Sequence, residues 1–100
     1  HRRGVLVFAA SADKDIAGMA RELAPAFSRA VATRSRHPRS ADPELLVRAF
    51  AEYGLGAEVR DDSAAAVQRA LELAGPGDLV CVTGSLFVVG EVLEWWALRR

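Results

Sequence analysis

The sequence predicts an α/β fold in which helices cover both faces of a mainly parallel, four-stranded sheet. Short apolar runs that are typical of buried strands alternate four times with amphipathic helical segments, and the connections between them are short. The first and fourth runs are the most apolar, so we expect these two strands to be central. A doubly wound order of 3-2-1-4 places them side by side. The predicted architecture is therefore a Rossmann-like three-layer sandwich.

The first strand and the first helix have clear signals. Residues 5–10 form a continuous apolar run with β-branched and aromatic members, which is typical of a strand covered on both faces. The helix that follows carries apolar residues at i, i+3, i+4 and i+7, and Pro25 ends it. These residues are Ile16, Met19, Ala20 and Leu23. A short second strand is predicted at 30–33.

The second helix has a complete start signal. Asp42 is the predicted N-cap, Pro43 occupies the first helical position, and Gly54 ends the helix. Its predicted apolar face consists of Leu45, Leu46, Ala49, Phe50 and Tyr53. The sequence thus predicts the start, end and buried side of this helix.

The second half of the chain repeats the pattern twice. A weak strand at 57–60 precedes Asp61 and Asp62, which we interpret as caps of a third helix, and the segment 75–77 ends it. The predicted buried side of this helix is Val67, Ala70, Leu71 and Ala74. The fourth strand is predicted at 78–83, and Ser85 is predicted to cap a last helix. The predicted stripe of that helix is Val89, Val92, Leu93 and Trp96, which leaves Trp95 as the more exposed tryptophan.

Length and composition fit a single globular domain. A chain of 100 residues with 51% hydrophobic residues can bury one core. The 13 basic and 13 acidic side chains cancel, so net charge does not favour nucleic acid or an anionic membrane, although a basic cluster lies at 34–39. We therefore expect a soluble protein with no nucleic-acid or membrane partner.

The single cysteine, Cys81, excludes an internal disulfide and fits a reducing compartment, so we expect a cytoplasmic protein. Because Cys81 lies in a predicted central strand, we interpret it as a small buried residue with no chemical role.

Two loops are predicted to meet at one edge of the sheet. The loops after strands one and four, at 11–15 and 83–85, follow the carboxyl ends of neighbouring parallel strands. Thr83, Gly84 and Ser85 stand at a strand-to-helix junction, where backbone can approach a ligand and free N–H groups can bind a carboxylate or phosphate. Alternatively, Gly84 only turns the chain and Ser85 only caps the helix.

Charged residues near this edge are further candidates for binding. In the first loop, next to Ser11, Lys14 could neutralise a phosphoryl or carboxylate oxygen, and Asp13 or Asp15 could hold an ammonium or a hydroxyl group. Helix capping by either aspartate is the alternative. In the loop after strand two, His37 and Arg39 flank a proline. The Arg39 guanidinium can bind a carboxylate through two hydrogen bonds, and the alternative is an exposed basic loop without a ligand.

Three segments together resemble a known family. They are LVFAASADKDIAGM at 6–19, ATRSRHPRSADPELL at 32–46 and DLVCVTGSLFVVGEV at 78–92. In order and spacing they resemble the C-terminal domain of the bacterial folylpolyglutamate synthases, often bifunctional with dihydrofolate synthase, of the Mur ligase family. HPRS stands where cell-wall relatives carry an Asn-Pro-Arg motif that binds an amino-acid substrate. The resemblance favours ligand binding by Lys14, Asp15 and Arg39.

The resemblance implies an ATP-dependent amide ligase. Such enzymes bind ATP and magnesium on a central P-loop domain, phosphorylate a substrate carboxylate, and let the amino group of glutamate attack the acyl phosphate. The C-terminal domain closes over that site and contributes positioning, so no catalytic residue is assigned here. The chain has no G-x-x-x-x-G-K-[ST] motif, and it is therefore expected to bind no cofactor and to be inactive alone.

The resemblance also implies that residues 1–100 are one domain truncated at its N-terminal side. The family's Asp-Gly-Ala-His-Asn-Pro segment is missing, and loss of a first strand and helix would expose a sheet edge and favour self-association. A non-catalytic α/β module that binds a small ligand or a partner remains the alternative. A receiver domain is disfavoured, because no aspartate ends the first strand.

Overall fold

Strands and helices alternate along the whole of the described chain. The computed structural model describes residues 4–99, apart from the side chains at 86 and 99. The elements are β1 (Gly4–Phe8), α1 (Ile16–Leu23), β2 (Arg29–Ala32), α2 (Pro43–Glu52), β3 (Ala57–Val59), α3 (Ser63–Leu73), β4 (Leu79–Thr83) and α4 (Leu86–Arg99). A short 3-10 turn, Ala24–Ala26, follows α1 and contains Pro25. No helix in the described part has the length and apolarity to cross a membrane.

The four strands form one parallel sheet. Their order is β3-β2-β1-β4, which confirms the predicted 3-2-1-4 arrangement. At the carboxyl end of β1, Phe8 is in register with Ala32 of β2 and with Thr83 of β4. Because all strands run in the same direction, the loops that follow them leave the sheet at one edge.

Helices pack on both faces of the sheet. Alternate residues of a strand point to opposite faces, and β1 is buried on both. Leu6 and Phe8 join the core formed with α1 and α2, where Phe8 and Phe50 make an edge-to-face contact at 5.2 Å. Val5 and Val7 join the second core, formed with α3 and α4. The predicted three-layer sandwich is confirmed.

The predicted helix starts are confirmed by capping hydrogen bonds. Asp42 Oδ1 accepts from the backbone N–H of Glu44 at 3.0 Å, with Pro43 in the first position. Asp62 Oδ1 accepts from the N–H of Ala65 at 2.8 Å. Of the two aspartates predicted as caps of α3, only Asp62 is its N-cap; Asp61 is exposed.

The buried sides of α2 and α3 are narrower than predicted. In α2, Leu46 and Phe50 are buried, but Leu45 and Tyr53 are 46% and 41% exposed. In α3, Leu71 is 45% exposed, while three buried residues, Ala66, Val67 and Ala70, face the sheet. A helix that packs on a sheet buries only one stripe of its surface. Successive residues are about 100° apart around the helix axis, so apolar residues at the margin of that stripe remain exposed to solvent.

The prediction for β4 was wrong about its surroundings. Within residues 4–99, β4 pairs with β1 alone and forms an edge of the sheet. Cys81 is exposed rather than buried, and Leu79 is 53% exposed. An apolar run has the same appearance in an edge strand as in a central one, so composition did not separate the two.

The predicted face of α4 was also wrong. Trp95 packs with Val92 against the second core, whereas Trp96 and Leu93 are 48% and 63% exposed. Val88, outside the predicted stripe, is fully buried. Because α4 is apolar on nearly all sides, its hydrophobic period does not identify the side that faces the sheet.

Candidate functional site

Three loops meet at the carboxyl edge of the sheet: loop 1 (9–15), loop 2 (33–42) and the turn at 84–85. Loop 1 lies between the other two, as β1 lies between β2 and β4. Ala9 N donates to Thr83 O at 3.5 Å on one side of loop 1. On its other side, Ala12 N donates to Arg39 O at 2.7 Å, and Ser11 and Ser40 form an isolated antiparallel bridge. The first and last loops leave the sheet at the same edge, as the predicted strand order requires, and loop 2 contacts loop 1 there. That 11–15 and 83–85 form one binding crevice stays a prediction.

The turn after β4 is held close to β1 by Gly84. This residue has φ +110°, a conformation that side chains disfavour. A Cβ atom there would collide with the carbonyl oxygen of Ala9 and lie 2.9 Å from the Phe8 ring. Ser85 Oγ then accepts from the N–H of Val88 at 3.1 Å and caps α4. Both residues therefore have the structural roles of the alternative interpretation, and ligand binding by Thr83, Gly84 and Ser85 stays a prediction.

Loop 1 holds its two aspartates in different roles. Asp15 is the N-cap of α1, and its Oδ1 accepts from Gly18 N at 3.0 Å. The pKa of the Asp13 carboxyl is lowered, chiefly by hydrogen bonds from the Ser11 hydroxyl and its own N–H. The charges of Lys14 and Arg39 add to this lowering. The bond from the Ala12 N–H to the Arg39 carbonyl places Asp13 and Lys14 in the segment that adjoins Arg39.

Loop 2 is folded by its own polar groups. Ser35 is buried; its N–H donates to Ser40 Oγ at 3.1 Å, and its Oγ accepts from His37 N at 3.2 Å. His37 Nδ1 accepts from Arg39 N at 3.1 Å, and Ser40 N donates to His37 O at 3.0 Å. These bonds fix the backbone on both sides of Pro38, so the backbone conformation of Arg39 is set without a ligand.

His37 connects loop 2 to the last helix. Its ring lies 4.3 Å from the Phe87 ring, centroid to centroid, with 35° between the planes. Because Nδ1 already accepts from Arg39 N, only Nε2 is free for a ligand. The described structure thus gives His37 a structural role, and its predicted role in substrate binding remains a prediction.

Lys14 and Arg39 are the cations that the structure leaves available at this edge. Both are exposed, and within residues 4–99 neither side chain makes an ion pair. By contrast, Arg34 lies 3.9 Å from Asp42, and Arg36 pairs with two glutamates of α4. A small anion at this edge would therefore meet two cations that need not break an internal ion pair first.

Two common ligand-binding features, a metal-binding cluster within residues 4–99 and a P-loop motif in the sequence, are not found. Residues 4–99 contain no group of three or more His, Cys, Asp or Glu side chains that could hold a metal. The full sequence has no phosphate-binding P-loop motif. The arrangement at the edge fits recognition of an anion.

The sequence did not predict a role near this edge for Glu91 or for Ser63. Glu91 of α4 bonds to Ser63 at the start of α3 and to the backbone of Arg36 in loop 2. These partners lie 28 and 55 residues away in sequence, so no local pattern connects them. The one available signal was the presence of two carboxylates, Glu91 and Glu94, inside the apolar segment LFVVGEVLEWW, and it did not separate one from the other.

The same fold and segments occur in known proteins. A probable bifunctional folylpolyglutamate synthase/dihydropteroate synthase of Haloferax volcanii is 38% identical over 92 residues, which cover 91% of this chain and 11% of that protein. E. coli FolC, solved in complex with DHPP and ADP, superposes with a TM-score of 0.91 at 29% identity. That match covers 100% of this chain and 23% of FolC.

A third similar protein was solved with L-glutamate bound. A bifunctional folylpolyglutamate synthase/dihydrofolate synthase, solved with Mn, AMPPNP and L-glutamate bound, matches with a TM-score of 0.82 at 26% identity. The match covers 96% of this chain and 23% of that one. This chain thus spans about a tenth of the curated relative and under a quarter of these solved chains.

The family model of the Mur ligase glutamate ligase domain matches residues 1–86, which include β1 to β4 and the turn at 84–85. The resemblance drawn from the three sequence segments is therefore confirmed. The chain belongs to the Mur ligase family, as its glutamate ligase domain.

Proposed function

We propose that the chain is the C-terminal lobe of an ATP-dependent amide ligase that joins L-glutamate to a folate or dihydropteroate carboxylate. Membership in the glutamate ligase domain family and the likeness to folylpolyglutamate synthases support the reaction class. The observation that carries the role of this chain is the pairing of loops 1 and 2, in which the Ala12 N–H bonds to the Arg39 carbonyl and so keeps the segment of Asp13 and Lys14 beside Arg39. No comparison supports the alternative of a non-catalytic binding module.

The exposed cations suit the charges of such a reaction. Glutamate enters with two carboxylates, and a planar guanidinium such as Arg39 binds a carboxylate through two parallel hydrogen bonds. Lys14, a compact charge on a flexible stem, can neutralise a second carboxylate or a phosphoryl oxygen. The N–H groups at the start of α4 point to the same edge, and Asp13 can hold the ammonium group of the amino acid. These groups would orient the substrates, and orientation alone can lower a reaction barrier by several kcal/mol, up to about 10.

The phosphoryl donor and its metal would be held elsewhere in the ligase. The solved relatives contain ADP, or AMPPNP with Mn. We propose ATP with Mg²⁺ in this protein, bound mainly by a P-loop domain that is the partner of this lobe and activates the substrate carboxylate. Residues 4–99 offer no such cradle, so this chain alone is expected to be inactive.

The domain boundary and the location of the protein are further parts of this proposal. We expect residues 1–100 to be one glutamate ligase domain. Its open β4 edge and the exposed Leu79 and Leu93 would favour self-association of the isolated chain. A single free cysteine that is exposed fits the reducing cytoplasm, where we place the reaction.

Arg39→Ala in the complete ligase tests the proposed function. Loss of a bidentate, charge-assisted contact is expected to raise KM for L-glutamate about tenfold or more, while KM for ATP changes little. Arg48→Ala is the matched control, because Arg48 is an exposed arginine on α2 outside the three loops. If both variants bind glutamate like the wild type, Arg39 does not belong to the site.

A further inference from the structure

Glu91 joins α4 to two other elements through one carboxylate. Its Oε1 accepts from the Ser63 hydroxyl at 2.6 Å, at the start of α3. Its Oε2 accepts from the backbone N–H of Arg36 in loop 2 at 2.7 Å, and the Arg36 Nε atom lies 3.4 Å away. The side chain is only 14% exposed, so both bonds are largely shielded from water.

The bond to Arg36 acts on the loop backbone rather than on a side chain. The other N–H groups of 35–40 with side-chain acceptors use partners inside loop 2, namely Ser40, Ser35 and His37. Among the described residues, Glu91 is the side chain outside loop 2 that accepts from a backbone N–H of this segment, whereas Glu94 accepts from the Arg36 guanidinium. Glu91 therefore joins the segment to α4 three residues before Arg39, while the Ala12 N–H bonded to the Arg39 carbonyl joins it to loop 1.

Glu91 accepts these bonds as an anion. Burial alone would raise the pKa of its carboxyl, but hydrogen bonds from Ser63 and Arg36, with the charge of Arg36, outweigh that effect and lower the pKa. A carboxylate accepts stronger hydrogen bonds than a neutral group does, which suits a residue that holds a loop in place.

A second contact from the same helix side supports this role. Phe87 lies four residues before Glu91, which places both on one side of α4, and its ring packs on His37. Helix α4 thus holds loop 2 at two points, while its first turn begins at Ser85, next to loop 1. The spacing between loop 2 and the turn after β4 follows from these contacts.

We propose that Glu91 is a positioning residue for substrate glutamate: it holds loop 2 by the Arg36 backbone so that Arg39 faces the edge shared with Lys14. This proposal rests on the proposed function. Glu91 itself is not expected to touch a substrate, because its carboxylate oxygens are already bonded to Ser63 and Arg36.

Steady-state kinetics of the complete ligase with Glu91→Ala and Glu91→Gln test the proposal. Glu91→Ala should raise KM for L-glutamate about tenfold, the effect of losing a hydrogen bond to a charged group, and leave KM for ATP within about twofold. Glu91→Gln keeps an oxygen acceptor for the Arg36 N–H and should restore KM to within about threefold of the wild type. A purely structural role would instead lower the amount of active enzyme without a selective change in KM for glutamate.

Glu94→Gln is the matched control. Glu94 lies on the same helix and pairs with the same arginine, at 3.4 Å, but through its guanidinium and with 61% of its side chain exposed. Loss of the Glu94 charge should leave KM for glutamate within about twofold of the wild type, because an exposed ion pair contributes little. An equal effect of Glu94→Gln and Glu91→Ala would overturn the proposal, because loss of charge rather than the backbone bond would then be responsible.

Amide hydrogen exchange of this 100-residue chain separates the proposal from the proposed function. Glu91→Ala should speed exchange at Arg36, His37 and Arg39 at least about tenfold, and Glu94→Gln should not. Unchanged exchange in loop 2 overturns the proposal whatever the kinetics show. Faster exchange with an unchanged KM in Glu91→Ala, when Arg39→Ala does raise KM, overturns it and leaves the proposed function standing. If neither variant changes KM, both fail.

Should Glu91→Ala fail to fold, Glu91→Asp replaces it. Aspartate keeps the charge but is one methylene shorter, so its carboxylate is withdrawn from the Arg36 N–H. A raised KM for glutamate with faster loop exchange supports the proposal. Wild-type values in Glu91→Asp overturn it, since the loop would then not depend on the reach of the carboxylate.

Discussion

Gly84→Ala tests the contact between the turn after β4 and the central strand. Two separate costs follow from the structure. A side chain at φ +110° is strained by about 1–2 kcal/mol. The added methyl group would also collide with the Ala9 carbonyl and crowd the Phe8 ring, and forcing an atom into packed surroundings costs about 1–3 kcal/mol more. The expected loss is about 2–5 kcal/mol, a large share of the stability of a domain of this size.

Gly77→Ala is the internal control for the first of these costs. Gly77 also has a positive φ, +82°, but a Cβ atom there has no neighbour within 4 Å. Its replacement should therefore cost only the backbone strain, about 1–2 kcal/mol. The difference between the two variants measures how closely the turn approaches β1.

Thermal unfolding followed by circular dichroism provides the measurement. For a domain of this length, about 1 kcal/mol lowers Tm by 4–8 °C, so Gly84→Ala should lower Tm by about 10 °C or more. It should also melt clearly below Gly77→Ala. Equal Tm values for the two variants would refute the close approach, and the shared edge that loop 1 and the turn form would lose its main support.

Two further predictions concern stability. Asp62→Ala should cost about 1 kcal/mol because it removes the N-cap bond of α3, whereas Asp61→Ala should cost less than about 0.5; urea unfolding compares them, and equal losses would contradict the capping assignment. The pKa of Glu58 is lowered, mainly by the hydrogen bond from Arg69 against an opposing effect of burial, and then by the charges of three arginines. Its stabilising effect is therefore fully present above its ordinary pKa of 4.5 and is lost as the pH falls through the lowered value. The difference in unfolding free energy between the wild type and Glu58→Gln should be constant near pH 7 and vanish in acid; a difference that persists at low pH would contradict the linkage.

Local signals predicted the parts of the fold that local physics determines. Asp42 with Pro43 and Asp62 before Ser63 are start signals that act within one helical turn, and both are confirmed. The strand order was predicted from the apolar runs of strands one and four, and it is confirmed although only β1 is buried on both faces. Such features depend on neighbours in sequence, and therefore a sequence can reveal them.

In the last quarter of the chain, local sequence signals did not predict which side chains are buried. In α4, Trp95 and Trp96 differ in burial only because of where β4 and α3 lie, and an all-round apolar helix gives no local preference between them. Cys81 is exposed because, in the described chain, the core formed with α1 and α2 includes no β4 residue, whereas Val80 and Val82 on the other face of the strand pack against the second core. Burial at these positions is a property of tertiary structure.

The candidate site also has one part that could be predicted from the sequence and one that could not. Topology predicted that Lys14 and Ser85 would stand at one edge, because the carboxyl ends of neighbouring parallel strands meet there. The bond from Ala12 to Arg39 and the one from Arg36 to Glu91 could not be predicted, since each joins residues far apart in sequence. These two bonds join loop 2 to loop 1 and to α4.

The chemistry of this edge limits what the lobe can contribute to a ligase. Its available groups are two exposed cations, the anion Asp13 and the N–H groups at a helix start, all of which bind charge without moving a proton. A carboxylate becomes reactive toward an amine only after its oxygen is converted into a leaving group, and this sequence has no P-loop motif to hold a phosphoryl donor. Changes at Lys14 or Arg39 should therefore act first on the affinity for an anionic substrate. They should affect the rate of activation only through the orientation of the bound substrate.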